Sequence, residues 1–270
     1  MKMTRTLLPL AFLLAACAAT AAPPAGYKLA WSDDFDGTAL DTNRWDYRTD
    51  SKHWSTQKPQ NVSVSGGLLH LAVKKEEAGD KHYTGSGVIS HEPFKYGYYE
   101  SRFKVPPGAG WHTSFWMMKH DKSGGTNPDA SRQELDVCEN DSVKPTSYGV
   151  NTHKWIPKPH QGMGGKSVKT PDLSADFHVF GCEFTPETVK YFFDGKVVLS
   201  VDATKFPHGE QHIWLTTIAS QLTARRRWTT PNCRRKRSTT TSGSTRKKND
   251  DVPEKEGSGF GVQGSGRSDQ

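Results

Sequence analysis

The sequence has few cysteines, and it contains no zinc-ligand spacing or phosphate-binding glycine loop. Its 270 residues include four cysteines, too few for the disulfide framework that stabilises small secreted domains. After its first residues it also lacks the ~20 consecutive apolar residues that a membrane span requires. These absences exclude the disulfide-stapled, zinc-finger, nucleotide-binding and membrane-spanning classes. Cys138 and Cys182 stay open at this point, either as one disulfide or as two buried thiols.

Residues 1–22 have the pattern of a signal peptide. Lys2 and Arg5 precede an apolar run over residues 7–16, and small residues follow. Leu14-Ala15-Ala16-Cys17 is similar to the bacterial lipobox, in which the cysteine becomes a lipidated N-terminus. The alternative is ordinary cleavage near Ala21. We expect an exported protein in both cases: periplasmic, extracellular, or anchored to the outer membrane through a lipid on Cys17.

All of the net positive charge lies in the C-terminal tail. Residues 221–270 contain 12 Lys and Arg against 5 Asp and Glu, whereas the rest of the chain has 24 of each. The composition changes abruptly after Ser220, from a strand-like apolar segment to Arg225-Arg226-Arg227 and Arg234-Arg235-Lys236-Arg237. Either the tail is a disordered basic segment, or the reading frame slips near Gln221.

The genetic code favours the slipped frame. When the third base of each codon is read with the first two bases of the next, permitted codons spell a segment that includes Tyr-Asp-Tyr-Val-Arg-Val-Tyr-Glu. This is an alternating strand. Two or three Lys or Glu codons follow it, and the next codon, across Asn249 and Asp250, can be a stop. We therefore predict that residues 221–270 are out of frame and disordered, and that a C-terminal strand is lost. A nucleic-acid partner is not expected, because only the tail suggests one.

Residues 25–220 form a run of short strands separated by turns, with little helical periodicity. Gly66-Gly67 and Asp194-Gly195 are hairpin signals. Many short strands without alternating helices predict an all-β fold, an antiparallel β-sandwich or jelly roll with a concave cleft. The predicted strands are Val62–Val64, Leu68–Val73, Tyr98–Val105, Thr113–Met118, Glu134–Cys138, Tyr148–Thr152, His178–Phe184, Val189–Phe193, Val197–Val201 and Ile213–Ile218.

One acidic strand carries the pattern of a catalytic site. Side chains alternate along a strand, so Glu134 and Asp136 share a face while Leu135 faces a core. Glu139 joins that face if a β-bulge around Cys138 absorbs one residue. Crowding then raises the pKa of at least one acid, as a glycosidase needs for its pair of one ionised and one protonated carboxyl group. The alternatives are a calcium site or a solvated acidic face.

This segment resembles the Glu-x-Asp-x-x-Glu signature of glycoside hydrolase family 16. The resemblance implies a retaining endo-glycosidase with Glu134 as the nucleophile, Glu139 as the acid and then the base, and Asp136 as the residue that orients the nucleophile. Further similar segments are Trp31–Gly37 with Leu40, Asp41 and Trp45, then Gln60–Val62, Tyr83–Ser90, Tyr96–Arg102 and Phe115–Met117.

Five further residues are candidates for contact with substrate. Trp116 and Trp111 are candidates for stacking on sugar rings, with core packing as the alternative. The resemblance implies sugar contacts for Glu100 and Arg102, with a cross-strand ion pair as the alternative. His153 follows a predicted strand and is placed beside the cleft.

The extra residue in the signature separates the chain from the family's lichenases and is similar to its laminarinase, agarase and carrageenase branches. Segments Asp121–Arg132 and Lys154–Thr170 are expected to be loops that wall the cleft. We expect a β-1,3- or β-1,3-1,4-glucan substrate, with an agar- or carrageenan-type galactan as the alternative. Outside the enzymes, the alternative is a non-catalytic carbohydrate-binding sandwich.

The expected accessory features are few. No cofactor is required and no metal ligands are assigned, although the family leaves room for a structural Ca²⁺ that the sequence does not locate. The partner is a polysaccharide, a lipid anchor in the membrane depends on Cys17, and the chain is expected to be a monomer.

Overall fold

The computed structural model describes residues 23–220 and the backbone of residues 258–266. The predicted leader with Cys17, and the rest of the tail, lie outside the described residues. In the described part, no helix has the length and apolar character needed to cross a membrane. The strands are β1 (Lys28–Asp33), β2 (Trp45–Tyr47), β3 (Ser51–Lys52), β4 (Ser55–Gln57), β5 (Val62–Ser65), β6 (Leu68–Leu71), β7 (Lys74–Ala78), β8 (Lys81–Ser90), β9 (Gly97–Phe103), β10 (Trp111–Met118), β11 (Gln133–Asp141), β12 (Ser147–Lys154), β13 (Gln161–Lys169), β14 (His178–Phe184), β15 (Thr188–Phe193), β16 (Lys196–Asp202), β17 (His212–Ala219) and β18 (Ser258–Gly266).

These strands form two sheets. The eight-stranded sheet has the order β16-β15-β14-β9-β18-β6-β5, with β1 also paired to β18. The ten-stranded sheet has the order β13-β12-β11-β10-β17-β8-β4-β3, with β2 and β7 also paired to β8. The pairing is antiparallel except between β4 and β8, which run parallel. The predicted all-β antiparallel sandwich is confirmed.

The core lies between the two sheets. Phe115 and Leu135 enter it from the ten-stranded sheet, and Phe180 enters it from the eight-stranded sheet. Full burial of such a side chain stabilises the fold by about 1.5–3 kcal/mol. Cys138 and Cys182 belong to this core as free thiols, so the disulfide alternative is wrong.

A second, smaller apolar cluster lies on the outer face of the ten-stranded sheet. Its buried members are Ile89, Trp116, Met118 and Trp214, and Trp155 packs against them. Since Phe115 and Met117 of the same strand enter the core, β10 alternates between the two layers as a strand with period two must.

Both predicted hairpin turns are present. Gly66 and Gly67 connect β5 to β6 with φ of 60° and 72°. Asp194 and Gly195 connect β15 to β16 with φ of 46° and 76°. Two consecutive positive φ values give a turn whose twist matches that of the flanking strands, which explains the demand for Gly and Asp there.

The prediction that Lys154–Thr170 is a loop is wrong in part. Strand β13 occupies most of it and pairs with β12 at one edge of the ten-stranded sheet. Its glycine-rich sequence has little intrinsic strand propensity, so the pairing with β12 creates the strand. Segment Asp121–Arg132 lies entirely between strands β10 and β11, as expected, and contains a short 3₁₀ helix at Pro128–Ala130.

Within the predicted tail, the structure describes one strand, β18. Strand β18 lies in the eight-stranded sheet, where it pairs with β9, β6 and β1. The position expected to lack a strand is therefore occupied. Without β18, β9 and β6 would present unpaired backbone N–H and C=O groups, which are costly to leave unsatisfied.

Candidate active site

A β-bulge in β11 brings the three acids to one face. Trp116 pairs with Asp136 and Phe115 pairs with Cys138, so Val137 is the extra residue. The register with β12 shifts between Asp136 and Glu139. Val137 and Cys138 both enter the core, and Glu139 therefore returns to the outer face shared by Glu134 and Asp136. The bulge was predicted from the sequence and is confirmed.

The carboxyl group of Glu134 is held by a strong hydrogen bond. The indole Nε1–H of Trp155 donates to Glu134 Oε2 over 2.6 Å. The Trp155 ring is in turn stacked on His160, with ring centroids 4.1 Å apart. A donor that is fixed by packing also fixes the direction of the carboxyl group that accepts from it.

Asp136 lies between the two glutamates and is 3% exposed. Burial, reinforced by the nearby charges of Glu134 and Glu139, raises the pKa of Asp136 well above its ordinary value. His153 Nε2 lies 3.3 Å from Asp136 Oδ2. A protonated Asp136 is able to donate a hydrogen bond to Glu134, because a neutral carboxyl group has one O–H donor.

Glu139 has a different environment. Burial opposes its ionisation, but hydrogen bonds from His112 and Asn151 outweigh that and lower its pKa. Asn151 Nδ2 donates to Glu139 Oε2 over 2.8 Å, and His112 Nε2 lies 3.5 Å from Glu139 Oε1. Gly165 on β13 leaves room for Asn151, since a Cβ at that position would overlap the Asn151 amide oxygen.

Two stacked tryptophans extend the outer face away from the acids. Trp116 and Trp214 have ring centroids 4.6 Å apart and an interplanar angle of 28°. The guanidinium of Arg48 lies 5.9 Å from the Trp116 centroid and 5.8 Å from the Trp214 centroid, and it is paired with Asp50. Trp116 is 6% exposed, so packing accounts for most of its surface.

A polar cavity follows the tryptophans. Its volume is about 220 Å³, and its lining includes Asp46, Thr49, His120 and Ser123. The His120 ring meets the Trp214 ring edge-on at 5.4 Å. His120 is 7% exposed, and its Nδ1 has no hydrogen-bond partner among the described residues. The cavity therefore borders the Trp116–Trp214 pair through His120.

The structure does not bring Glu100 and Arg102 to this site. Both lie on β9 in the other sheet, and their neighbours Tyr99 and Phe103 point into the core. Glu100 accepts a hydrogen bond from Tyr98 over 2.9 Å, and the Arg102 guanidinium lies 4.5 Å from the centre of the Phe177 ring. The structure therefore does not place these two residues beside the acids, because strand parity fixes a face of β9 but not the sheet to which β9 belongs.

Trp111 is also not at the acids. It has the parity of Phe115, which points to the core, and not that of Trp116. Its indole N–H donates to the Pro107 carbonyl over 3.1 Å, and its backbone N–H donates to Ser142 Oγ over 3.0 Å. These bonds account for its position at the start of β10. His153, by contrast, lies next to Asp136.

Several residues that surround the acids were not among the predicted site residues. Asn151 shares the parity of His153 on β12, and His112 shares the parity of Trp116 on β10, so the period of two contained a signal for both. Trp155 lies just beyond the end of β12 and had no comparable signal. Within the described residues, no group of three or more His, Cys, Asp and Glu side chains is arranged to hold a metal ion.

Comparisons with known proteins agree with this geometry. Residues 28–249 match the family described as Beta-porphyranase A-D, GH16 domain. The chain is 28% identical over 180 residues to a Beta-glucanase from Rhodothermus marinus, covering 62% of this chain and 63% of that protein. It is 29% identical over 231 residues to Beta-porphyranase B from Phocaeicola plebeius, covering 67% of this chain and 70% of that protein.

A solved structure shows the same fold. The endo-beta-1,3-glucanase from Pyrococcus furiosus aligns with a TM-score of 0.69 at 19% identity, and the alignment covers 88% of this chain and 94% of that one. Together with the match over residues 28–249, this places the site in a known architecture. The chain belongs to glycoside hydrolase family 16.

Proposed function

We propose that the chain is a retaining endo-glycosidase that cleaves internal β-linkages of a polysaccharide. The observation that carries the proposal is the bulge at Val137, which places Glu134, Asp136 and Glu139 on one face with different hydrogen-bond partners. Retaining glycosidases need two carboxyl groups with separate roles about 5–5.5 Å apart. A polar cavity that borders Trp214 through His120 offers further contacts to a long sugar chain.

The proposed reaction has two steps. In the first, Glu134 attacks the anomeric carbon while Glu139 protonates the leaving oxygen, so that a glycosyl ester forms as the glycosidic bond breaks. In the second, Glu139 accepts a proton from water, the water oxygen bonds to the anomeric carbon, and Glu134 leaves as a carboxylate. Trp155 and protonated Asp136 hold the Glu134 oxygens in line throughout.

The first substrate candidate is a β-1,3- or β-1,3-1,4-glucan. It is supported by the similarity to the Beta-glucanase of Rhodothermus marinus and by the equal numbers of acidic and basic residues before the tail. A neutral surface offers no long-range attraction for a sulfated polymer.

A galactan is the second candidate, and one observation favours it. The family description that matches residues 28–249 is that of porphyranases, which makes an agar-, porphyran- or carrageenan-type chain the alternative.

A product assay on five polymers tests both candidates. The full chain is incubated with laminarin, lichenan, agarose, porphyran and carrageenan, and early products are sized while reducing ends are counted. We expect a mixture of oligosaccharides from one polymer class, with the first anomer seen by proton NMR in the β configuration. An α first product would contradict retention. Binding without any product would favour the non-catalytic carbohydrate-binding sandwich.

Export, a lipid on Cys17 and a monomeric state remain proposals. The basic, apolar and small residues over residues 1–22 and the lipobox-like Leu14–Cys17 support the first two. Metabolic labelling with a radioactive fatty acid, with Cys17→Ser as the control, distinguishes lipidation from ordinary cleavage. Size-exclusion chromatography with light scattering tests the monomer.

A slipped frame near Gln221 also remains a proposal. It is supported by the codon argument and by the composition of β18, where Gly259, Gly261, Gly264 and Gly266 stand among nine residues. Glycine within a strand weakens it, whereas the alternative frame supplies an alternating strand. Sequencing the gene across Ser220 decides the matter, since an intact frame there rules the proposal out.

A further inference from the structure

His112 is held between two carboxylates beside the proposed acid. Its Nδ1 lies 3.0 Å from Asp141 Oδ1 and its Nε2 lies 3.5 Å from Glu139 Oε1. The residue is 8% exposed, and its side chain projects from β10 on the same face as the acids. Both ring nitrogens therefore face carboxylate oxygens, a position that a doubly protonated imidazole fits and a neutral imidazole fills with one N–H only.

The charged surroundings of His112 favour the cation. Strand β11 supplies Glu139 and Asp141, and the loop before β4 supplies His53, whose own pKa is lowered by burial and by the positive charge of Lys52. On the other side, β17 places the apolar Ile218 opposite His112. Burial alone lowers the pKa of His112, but the bonds to Asp141 and Glu139 outweigh it and raise the value to about 9.

This arrangement raises a chemical question for the first step. Glu139 must carry a proton when the glycosidic bond breaks, yet its pKa is lowered by the same contacts that keep His112 protonated. Both shifts favour the ion pair, in which the one proton shared by the two groups is on His112. A bound glycan excludes water, and loss of water disfavours an ion pair relative to a neutral pair.

We propose that His112 is a positioning residue that stores the proton delivered by Glu139, an inference that rests on the proposed retaining mechanism. When substrate covers the pair, the Nε2 proton moves to Glu139 Oε1, and Glu139 passes it to the leaving oxygen as Glu134 bonds to the sugar. In the second step Glu139 takes a proton from water and the pair regains the proton it lost. One proton leaves and one returns, so the free enzyme is restored.

The pH profile of His112→Gln tests this storage role. Without His112 only Glu139 itself carries the proton, and it loses that proton at a lower pH than the pair does. On the preferred polysaccharide we expect the basic limb of kcat/KM to move to lower pH by at least one unit. A uniform loss of activity with an unchanged basic limb would overturn the proposal, because a merely structural role lowers activity at every pH.

The leaving group provides the second readout. In a dinitrophenyl β-glycoside of the preferred oligosaccharide, the dinitrophenolate leaves without protonation. The kcat/KM for this substrate should therefore fall less than threefold in His112→Gln, and the basic limb of its pH profile should not move. An equal loss on both substrates would count against proton storage. His178→Gln is the matched control, since His178 pairs with Asp194 over 2.8 Å on the other sheet, and it should leave both profiles unchanged.

A measurement that needs no substrate separates this inference from the proposed function. Histidine ring NMR of the full chain should show His112 protonated up to a pH of about 9, and Glu139→Gln should lower that midpoint by at least one unit. A midpoint near the ordinary value of about 6.5 would overturn the inference whether or not His112→Gln folds. Failure of the unaltered chain to cleave any β-glycan would instead contradict the proposed function.

Discussion

The two sheets each bury a carboxyl group on their outer face, but only one builds a site around it. On the eight-stranded sheet, burial raises the pKa of Glu100, and its bonded neighbour is the Tyr98 hydroxyl. On the ten-stranded sheet, burial and two further carboxyl groups raise the pKa of Asp136, with Glu134 and Glu139 on either side. Burial is thus common to both faces.

The difference lies in the neighbours. Glu134 and Glu139 each have their own donors, Trp155 for one and His112 with Asn151 for the other. Environments that move the pKa values of neighbouring acids apart create an ionised group and a proton carrier within one site. On the eight-stranded sheet, Glu100 has a tyrosine donor and the nearby buried Glu183 is paired with Lys190. A raised pKa by itself therefore does not identify a catalytic group.

The largest expected effect contrasts Glu134→Gln with Glu100→Gln. Glu134→Gln removes the nucleophile and should lower kcat/KM by about 10⁴-fold while polysaccharide binding is retained. Glu100→Gln is an equally conservative change on the other sheet, and its amide oxygen is able to accept the same hydrogen bond from Tyr98. It should leave kcat/KM within about threefold of the unaltered chain. Reducing-end assays and affinity electrophoresis measure the two quantities. Similar losses in both variants would show that the two faces do not differ in their contribution to activity.

Asp136 should act mainly as a hydrogen-bond donor. Asp136→Asn keeps an N–H that is able to donate to Glu134, whereas Asp136→Ala leaves Glu134 without it. A hydrogen bond to a charged group contributes about 1.5–3 kcal/mol, so the alanine variant should be at least tenfold slower than the asparagine variant. Steady-state kinetics compare them. Equal losses in the two variants would mean that the site needs a charge at Asp136 and not a donor.

Trp155→Phe should have a smaller effect. It removes the N–H that donates to Glu134 Oε2 and keeps an aromatic ring against His160. The loss of one bond to a charged group corresponds to roughly a 10- to 100-fold decrease in kcat/KM. Trp111→Phe is the control, because its indole donates to Pro107, and activity should stay within about threefold of the unaltered chain. Full activity in Trp155→Phe would remove this donor from the mechanism.

The smallest effect concerns stability on the other sheet. The pKa of Glu100 is raised by burial, so the folded chain binds the proton more tightly than the unfolded chain. Stability is then lost as pH rises from the unfolded pKa of about 4.3 through the folded value. Glu100→Gln stays neutral, so its thermal midpoint should fall less than that of the unaltered chain between pH 4 and 7. Parallel midpoint curves would show that Glu100 does not titrate in this range.

Much of the site could be predicted because its geometry is local. Glu134 and Asp136 share a face through the period of two, and the extra residue before Glu139 required a bulge that the structure contains. The hairpin at Asp194-Gly195 was readable for the same reason, since a tight turn depends on adjacent residues. Strand β13 could not be predicted, because its glycine-rich sequence has little strand propensity and pairing with β12 creates the strand.

By itself, the sequence determined the antiparallel all-β class, the parity of the three acids and the need for one irregularity between them. Only the tertiary structure decided that β9 belongs to the other sheet, so that Glu100 and Arg102 face away from the acids, and that His112, Asn151 and Trp155 surround them. The physical reason is the distance along the chain over which each property is determined. Alternation along one strand is set by backbone geometry, whereas the neighbours of a side chain depend on which distant strands pair.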